Sequence, residues 1–134
     1  MQTTFTVATS GPGLYEITRD VARWVCGTGV CTLFIRHSSA SLLIQENADP
    51  DVRRDLLAWL DRTVPQADHP DMAYLTHLTE GPDDMPAHIK ASFLPVSLQI
   101  PVSDGRLALG TWQGIYVVEH RHAPHRRTVV ANLS

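Results

Sequence analysis

Hydrophobic positions change their spacing several times along the chain, and each change marks an element. Phe5 and Val7 alternate with polar neighbours, the period of a half-buried strand, over residues 2–8. Gly11-Pro12-Gly13 reads as a turn. Ile17, Val21, Trp24 and Val25 then fall at i, i+4, i+7 and i+8, which predicts a helix with Thr18 as N-cap and Gly27 just past its end. Residues 30–36 (VCTLFIR) form an apolar, partly β-branched run, read as a strand that delivers His37 and Ser38 at its end; residues 41–45 are a second short strand. Asp49-Pro50 has the form of an N-cap followed by proline at the first helical position, and Val52, Leu56, Trp59 and Leu60 keep the helical period as far as Val64-Pro65. Residues 65–82, rich in Pro, Asp, His and Gly, form a loop long enough to suggest a functional role. A third helix is expected over residues 83–93, capped by Asp83 or Asp84, with Pro86 in its first turn. Residues 98–102, a Ser103-Asp104-Gly105 turn and a return strand over residues 106–109 make a hairpin, and two more strands follow at residues 116–119 and 128–132. Strands and helices mix without regular alternation. The expected fold is therefore α+β: a single compact domain over residues 1–134, mostly antiparallel sheet with about three helices.

Composition narrows the function. The formal net charge is −3, and no basic stripe with interleaved aromatics occurs, which argues against a nucleic-acid partner. No apolar run approaches the ~20 residues of a membrane span. The N-terminal segment lacks the basic and apolar regions of a signal peptide, so a cytoplasmic protein without a membrane partner is expected. Cys26 near a helix end and Cys31 in the next strand are expected to be two buried, reduced thiols rather than a disulfide or a zinc site.

Four segments concentrate groups able to do chemistry. His37 closes a strand, where a histidine can ligate a metal or move a proton; the plainer reading is a ring that hydrogen-bonds a loop. Glu46, Asn47 and Asp49 sit between a strand and a helix start, whose free N–H groups attract anions, although Asp49 is sufficiently explained as a cap. Asp84 and His88 are four apart on one helix face, with Asp83 adjacent, so a carboxylate and an imidazole could share a metal. Gly110 and Gly114 bracket Trp112 and Gln113, permitting close backbone approach; Glu119 and Arg121 then share a strand face opposite His120. Arg121, Arg126 or Arg127 could fork onto a phosphate, or be ordinary surface charge. No HExxH, Walker A, GxSxG or paired CxxC motif occurs, so spacing alone supports a polar site able to take a metal and an anion.

The stretches HSSASLLIQENADPDVRRDL (37–56), HLTEGPDDMPAHIKAS (77–92) and IPVSDGRLALGTWQGIYVVEHR (100–121) closely resemble the YjbQ family. That resemblance implies a YjbQ-like α+β fold, a homotrimer, and secondary thiamine-phosphate synthase activity, a transferase reaction joining a pyrimidine pyrophosphate to a thiazole phosphate. It implies a pocket for a divalent metal of the Mg or Zn type and a phosphorylated small molecule, built from His37, Glu46, Asn47, Asp49, Asp83, Asp84, His88, Gln113, Glu119 and Arg121. Within it, His37, His88, Asp83 and Asp84 would hold metal. His37, His88, Asp84 and Glu119 would be catalytic, and Glu46, Asn47, Asp49, Gln113 and Arg121 would meet substrate or phosphate. The alternative is a non-catalytic metal, oxyanion or small-ligand binding module in a homotrimer. One departure is Phe93-Leu94-Pro95 where the family usually reads Leu-Leu-Gly.

Overall fold

The elements follow in the order β1 (Gln2–Ser10), β2 (Gly13–Glu16), α1 (Thr18–Trp24), β3 (Gly29–Ile35), β4 (Ala40–Glu46), α2 (Pro50–Thr63), a short 3-10 turn (Pro70–Met72), α3 (Asp84–Phe93), β5 (Ser97–Ser103), β6 (Arg106–Leu107), β7 (Gln113–Glu119) and β8 (Pro124–Leu133). A computed structural model describes them over the whole chain, Met1–Ser134. The strands form a five-stranded sheet in the order β1-β8-β3-β5-β6 and a three-stranded sheet in the order β2-β7-β4. Every pairing is antiparallel. The single α+β domain with three helices expected from the residue pattern is present.

Side chains of the two facing sheets and of α1 make the core. Cys31, Leu33, Ile35, Ile100, Val102, Val129 and Ala131 come from the larger sheet; Ala40, Leu42, Ile115 and Val117 come from the smaller; Ile17, Val21 and Val25 come from α1 and its ends. The central strand β7 is buried on both faces, because Tyr116 and Val118 point away from that core and are covered as well. That explains its continuous apolar run, in contrast to the alternation of β1.

Local departures have physical causes. The strand β2 was not expected: it is only four residues long and opens on a glycine. Thr18 does not cap α1, whose N-cap position is Ile17 without a side-chain bond. Its hydroxyl donates to Glu16 Oε2 and accepts from Ile115 N, each at 2.8 Å, tying α1 to β7 instead. Asp49 caps α2 as expected, accepting from Asp51 N at 2.9 Å. Asp104 and Gly105 both take positive φ in the β5–β6 turn, which suits a tight hairpin. At Gly114 a Cβ would meet Glu16 Oε2 at 2.7 Å, so the expected close approach is made within the chain itself. Cys31 is buried but Cys26 is exposed beyond the end of α1, which corrects the expectation of two buried thiols; both are free. The Phe93-Leu94-Pro95 segment ends α3 and ties it to β4, since Leu42 N donates to Pro95 O at 2.8 Å. No helix is long and apolar enough to cross a membrane.

His120, just past β7, gives the fold an acid-sensitive point. It is 3% exposed, and its Nε2 lies 2.9 Å from the Oγ of buried Ser41. Burial, reinforced by Lys90 and Arg127 and opposed by Glu119, pushes its pKa down to about 4. An unfolded histidine protonates near pH ~6.5, so between there and the folded value the unfolded chain binds more protons and stability is lost as the pH is lowered. Denaturant unfolding is expected to show a loss of about 2 kcal/mol between neutral pH and about pH 4.5 from this residue. His120→Gln should flatten the profile over that window; an identical slope in the variant would remove His120 as the cause.

Candidate metal centre at the start of the third helix

The first turn of α3 brings Asp84 and His88 onto one face, and the preceding loop folds His77 against them. The Asp84 side chain is 2% exposed. Its Oδ1 accepts from Arg121 Nη1 at 2.6 Å, which leaves Oδ2 to face two imidazoles, His77 Nε2 at 2.7 Å and His88 Nε2 at 3.1 Å. The three candidate ligand atoms all lie within 4.8 Å of one another.

The histidine tautomer follows from the other ring nitrogen. His88 Nδ1 lies 2.9 Å from the carbonyl oxygen of Ser38, which can only accept, so Nδ1 carries the proton. In the neutral ring Nε2 then aims a lone pair at a carboxylate oxygen, and two acceptors face each other unless a second proton or a cation lies between them. A backbone carbonyl fixing the far nitrogen of a metal-binding histidine is the usual supporting arrangement. Burial alone would raise the Asp84 carboxyl. Hydrogen bonding with the His77 and Glu80 side chains, with smaller contributions from the charges of Arg121 and of His88 when protonated, outweighs burial and holds it below the ordinary carboxylate range. Two imidazoles and one carboxylate form a donor set suited to Zn²⁺-like ions rather than Mg²⁺.

Arg121 braces this group. Its Nε donates to Asp83 Oδ2 at 2.9 Å and its Nη2 to Glu80 O at 3.2 Å, so all three nitrogens are engaged by protein acceptors. Asp83 does not cap α3 by a side-chain bond. Its Oδ2 also accepts from His122 N at 2.9 Å. Burial opposes ionisation, but that N–H and Arg121 lower the Asp83 pKa to about 2. Asp83 therefore orients Arg121 and is not among the three clustered donors.

His37 and Glu119 make their hydrogen bonds to groups other than the three clustered donors. Thr128 N donates to His37 Nε2 at 2.8 Å, which occupies that lone pair, and Arg127 Nη1 lies 3.4 Å from the other ring nitrogen, Nδ1. Burial, followed by Arg127, pushes the His37 pKa down, in keeping with a neutral ring. Glu119 is bound by Arg127, Nε to Oε1 at 2.8 Å and Nη2 to Oε2 at 2.5 Å, and by Thr9 Oγ1 at 2.5 Å. Arg127 is thus committed inside the protein and is not a free fork for phosphate. Arg126 is exposed.

The remaining members of the expected pocket gather elsewhere. In the β4–β7 register Ala40 pairs with Glu119 and Glu46 with Gln113, so the two groups sit at opposite ends of one strand pair. At ~3.3 Å per residue that separation is roughly 20 Å. Glu46 accepts from Ala48 N and Asp49 N at 3.1 Å, Asn47 N donates to Trp112 O at 3.0 Å, and Gln113 Oε1 accepts from Gly110 N at 2.8 Å. They shape the entry to α2 and the turn before β7. The structure therefore divides the ten residues: Asp84 and His88 cluster, Arg121 and Asp83 brace them, His37 and Glu119 bond to Thr128 and Arg127 of β8, and Glu46, Asn47, Asp49 and Gln113 lie apart. His77 was not singled out by residue pattern, because it comes from a loop with no periodic relation to α3.

The fold and this histidine–carboxylate cluster define a small two-sheet α+β domain with a candidate metal centre at one helix start. The YjbQ family model, described as UPF0047 protein YjbQ-like, matches residues 3–134, and the chain belongs to that family. It is 46% identical over 132 residues to UPF0047 protein sll1880 of Synechocystis sp., covering 96% of this chain and 87% of the relative. It is 44% identical over 137 residues to UPF0047 protein YjbQ of Salmonella typhimurium, covering 98% and 96%. An uncharacterised conserved protein of the YjbQ/UPF0047 family from Clostridium acetobutylicum superposes with a TM-score of 0.86 at 36% identity, covering 98% of this chain and 99% of that one. These relatives are named as UPF0047 or uncharacterised proteins, without an activity. That overturns the expectation of a secondary thiamine-phosphate synthase and of transferase chemistry.

Proposed function

We propose that the chain is a metal-binding domain in which His77, Asp84 and His88 hold one divalent transition-metal ion of the zinc type, with an open position for an anionic small molecule such as a phosphorylated metabolite. The observation that carries it is Asp84 Oδ2 lying against two imidazole nitrogens, one of which, with its Nδ1 proton directed to Ser38 O, presents a lone pair when the ring is neutral. Three protein donors leave a vacancy that a closed four-ligand structural site lacks. His77 and His88 are only partly buried, so a ligand can reach them. A homotrimer and a cytoplasmic location belong to the same reading. The first is supported by exposed Val30, Phe34 and Pro101 on the outer face of the larger sheet, the second by the two free thiols.

Native mass spectrometry reads both chain number and metal number. The expected result is a trimer carrying one zinc per chain. A chelator-competition titration should then show His77→Ala and His88→Ala weakened by more than about 100-fold, since losing an outer-shell partner alone costs 10–100-fold. Wild-type protein that takes up no zinc, or variants that hold it as tightly, would defeat the metal reading; a monomer mass would defeat the trimer.

A further inference from the structure

We propose that His37 is a positioning residue for the His77–Asp84–His88 centre, acting through the Ser38 carbonyl rather than by touching the metal. The proposal rests on the metal-binding reading above. Ser38 O is the group that fixes His88, accepting from its Nδ1 at 2.9 Å. This carbonyl lies in the short connection between β3 and β4, outside any ladder that would orient it. The residues on either side of it are instead pinned to β8. On one side Thr128 N donates to His37 Nε2 at 2.8 Å. On the other, Arg127 Nη2 donates to Ser39 Oγ at 3.0 Å and to Ser39 O at 3.3 Å. Arg127 is itself locked by the buried Glu119, so the second anchor is rigid.

The peptide carrying Ser38 O is therefore held from both ends by consecutive residues of one strand. The His37 ring supplies the acceptor for a β8 backbone N–H. Without that ring the first anchor opens, Ser38 O can turn, and His88 is free to move its proton to Nε2, the nitrogen the metal needs. A histidine whose Nε2 is already occupied by a backbone N–H makes a poor ligand, and this arrangement gives His37 a different use.

The test compares His37→Ala with His37→Gln. The glutamine Oε1 stands as many bonds from Cβ as the histidine Nε2 does, so it can accept from Thr128 N, whereas alanine cannot. Two readouts are taken: ¹⁵N NMR of the His88 ring in metal-stripped protein at mildly alkaline pH, and zinc affinity by chelator competition. Wild type and His37→Gln should show His88 as the Nδ1–H form and bind zinc within a few-fold of each other. His37→Ala should show a mixture of tautomers and lose about 10–100-fold in zinc affinity, the cost typical of a lost supporting partner. If His37→Ala does not fold, His37→Leu keeps bulk in the same place without an acceptor. A wild-type His88 tautomer and affinity in the alanine or leucine variant, or failure of glutamine to restore them, overturns the proposal. The tautomer is read without metal, so a protein that binds no zinc but still shows the shift would refute the metal reading and leave the His37–Ser38–His88 linkage standing.

Discussion

Replacing Asp84 with Asn is expected to abolish zinc binding while leaving the fold in place. The carboxylate has two separate tasks, one per oxygen. Oδ1 accepts from Arg121 Nη1, and Oδ2 faces His77 and His88. An amide of the same shape can perform only the first. Arg121 has no acceptor to offer, so the amide oxygen must turn toward it, and the NH₂ group must turn toward the imidazoles. That places a donor where a cation should sit, and its protons can satisfy the ring lone pairs, so the variant should lose little stability. Asp84→Ala differs, because it also strips Arg121 of one buried partner. Zinc affinity in the Asn variant should fall by more than about 100-fold, beyond what the loss of a merely supporting group costs. Chelator competition gives the affinity and a denaturant melt gives the stability. Zinc retained within a few-fold of wild type would mean that Asp84 is not a ligand.

The parts of this centre differ in how far they were legible in sequence. Asp84 and His88 were accessible because both lie on one helix, where a spacing of four fixes a shared face. His77 reaches the same place from the loop after the 3-10 turn, and no spacing rule connects a loop residue to a helix that starts several residues later. The length of that loop and its histidine content were the available signal. The resemblance grouped Glu46, Asn47 and Gln113 with the histidines, but a family motif reports which residues recur, not how far apart they fold. The β4–β7 register supplies that distance and splits the group. Glu119 shows the same limit. Strand alternation placed it on one face with Arg121, yet the partner it finds is Arg127, eight residues on and on a different strand. The fold was more legible than the site, since periodicity reports burial, and a four-residue strand and a single 3-10 turn escaped it.

Breaking the Glu119–Arg127 pair should produce the largest stability loss in the molecule. The Glu119 side chain is 0% exposed and that of Arg127 4%. Glu119 accepts from both Arg127 donors, from Thr9, and from the backbone N–H groups of His120 and Arg121 at 3.1 Å. Burial alone would raise its pKa, but Arg127 and Thr9 outweigh burial and lower it. The pair's stabilisation is therefore present above the ordinary carboxyl pKa and lost as pH falls through the lowered value. Glu119→Gln at neutral pH replaces one acceptor oxygen by a donor facing a buried guanidinium. Removing one partner of a buried pair costs about 3–5 kcal/mol, because the other charge is left uncompensated. For a chain of this size that corresponds to a melting temperature lower by roughly 10–20 °C. Joint replacement by Glu119→Leu and Arg127→Met removes both charges and should cost less than the sum of the two single variants, although Ser39 and Thr9 then lose a partner. A double-mutant cycle measures that coupling. Additive losses, or a Glu119→Gln protein that melts within a few degrees of wild type, would show that the five hydrogen bonds around Glu119 contribute little and that this end of β7 is held by its apolar neighbours.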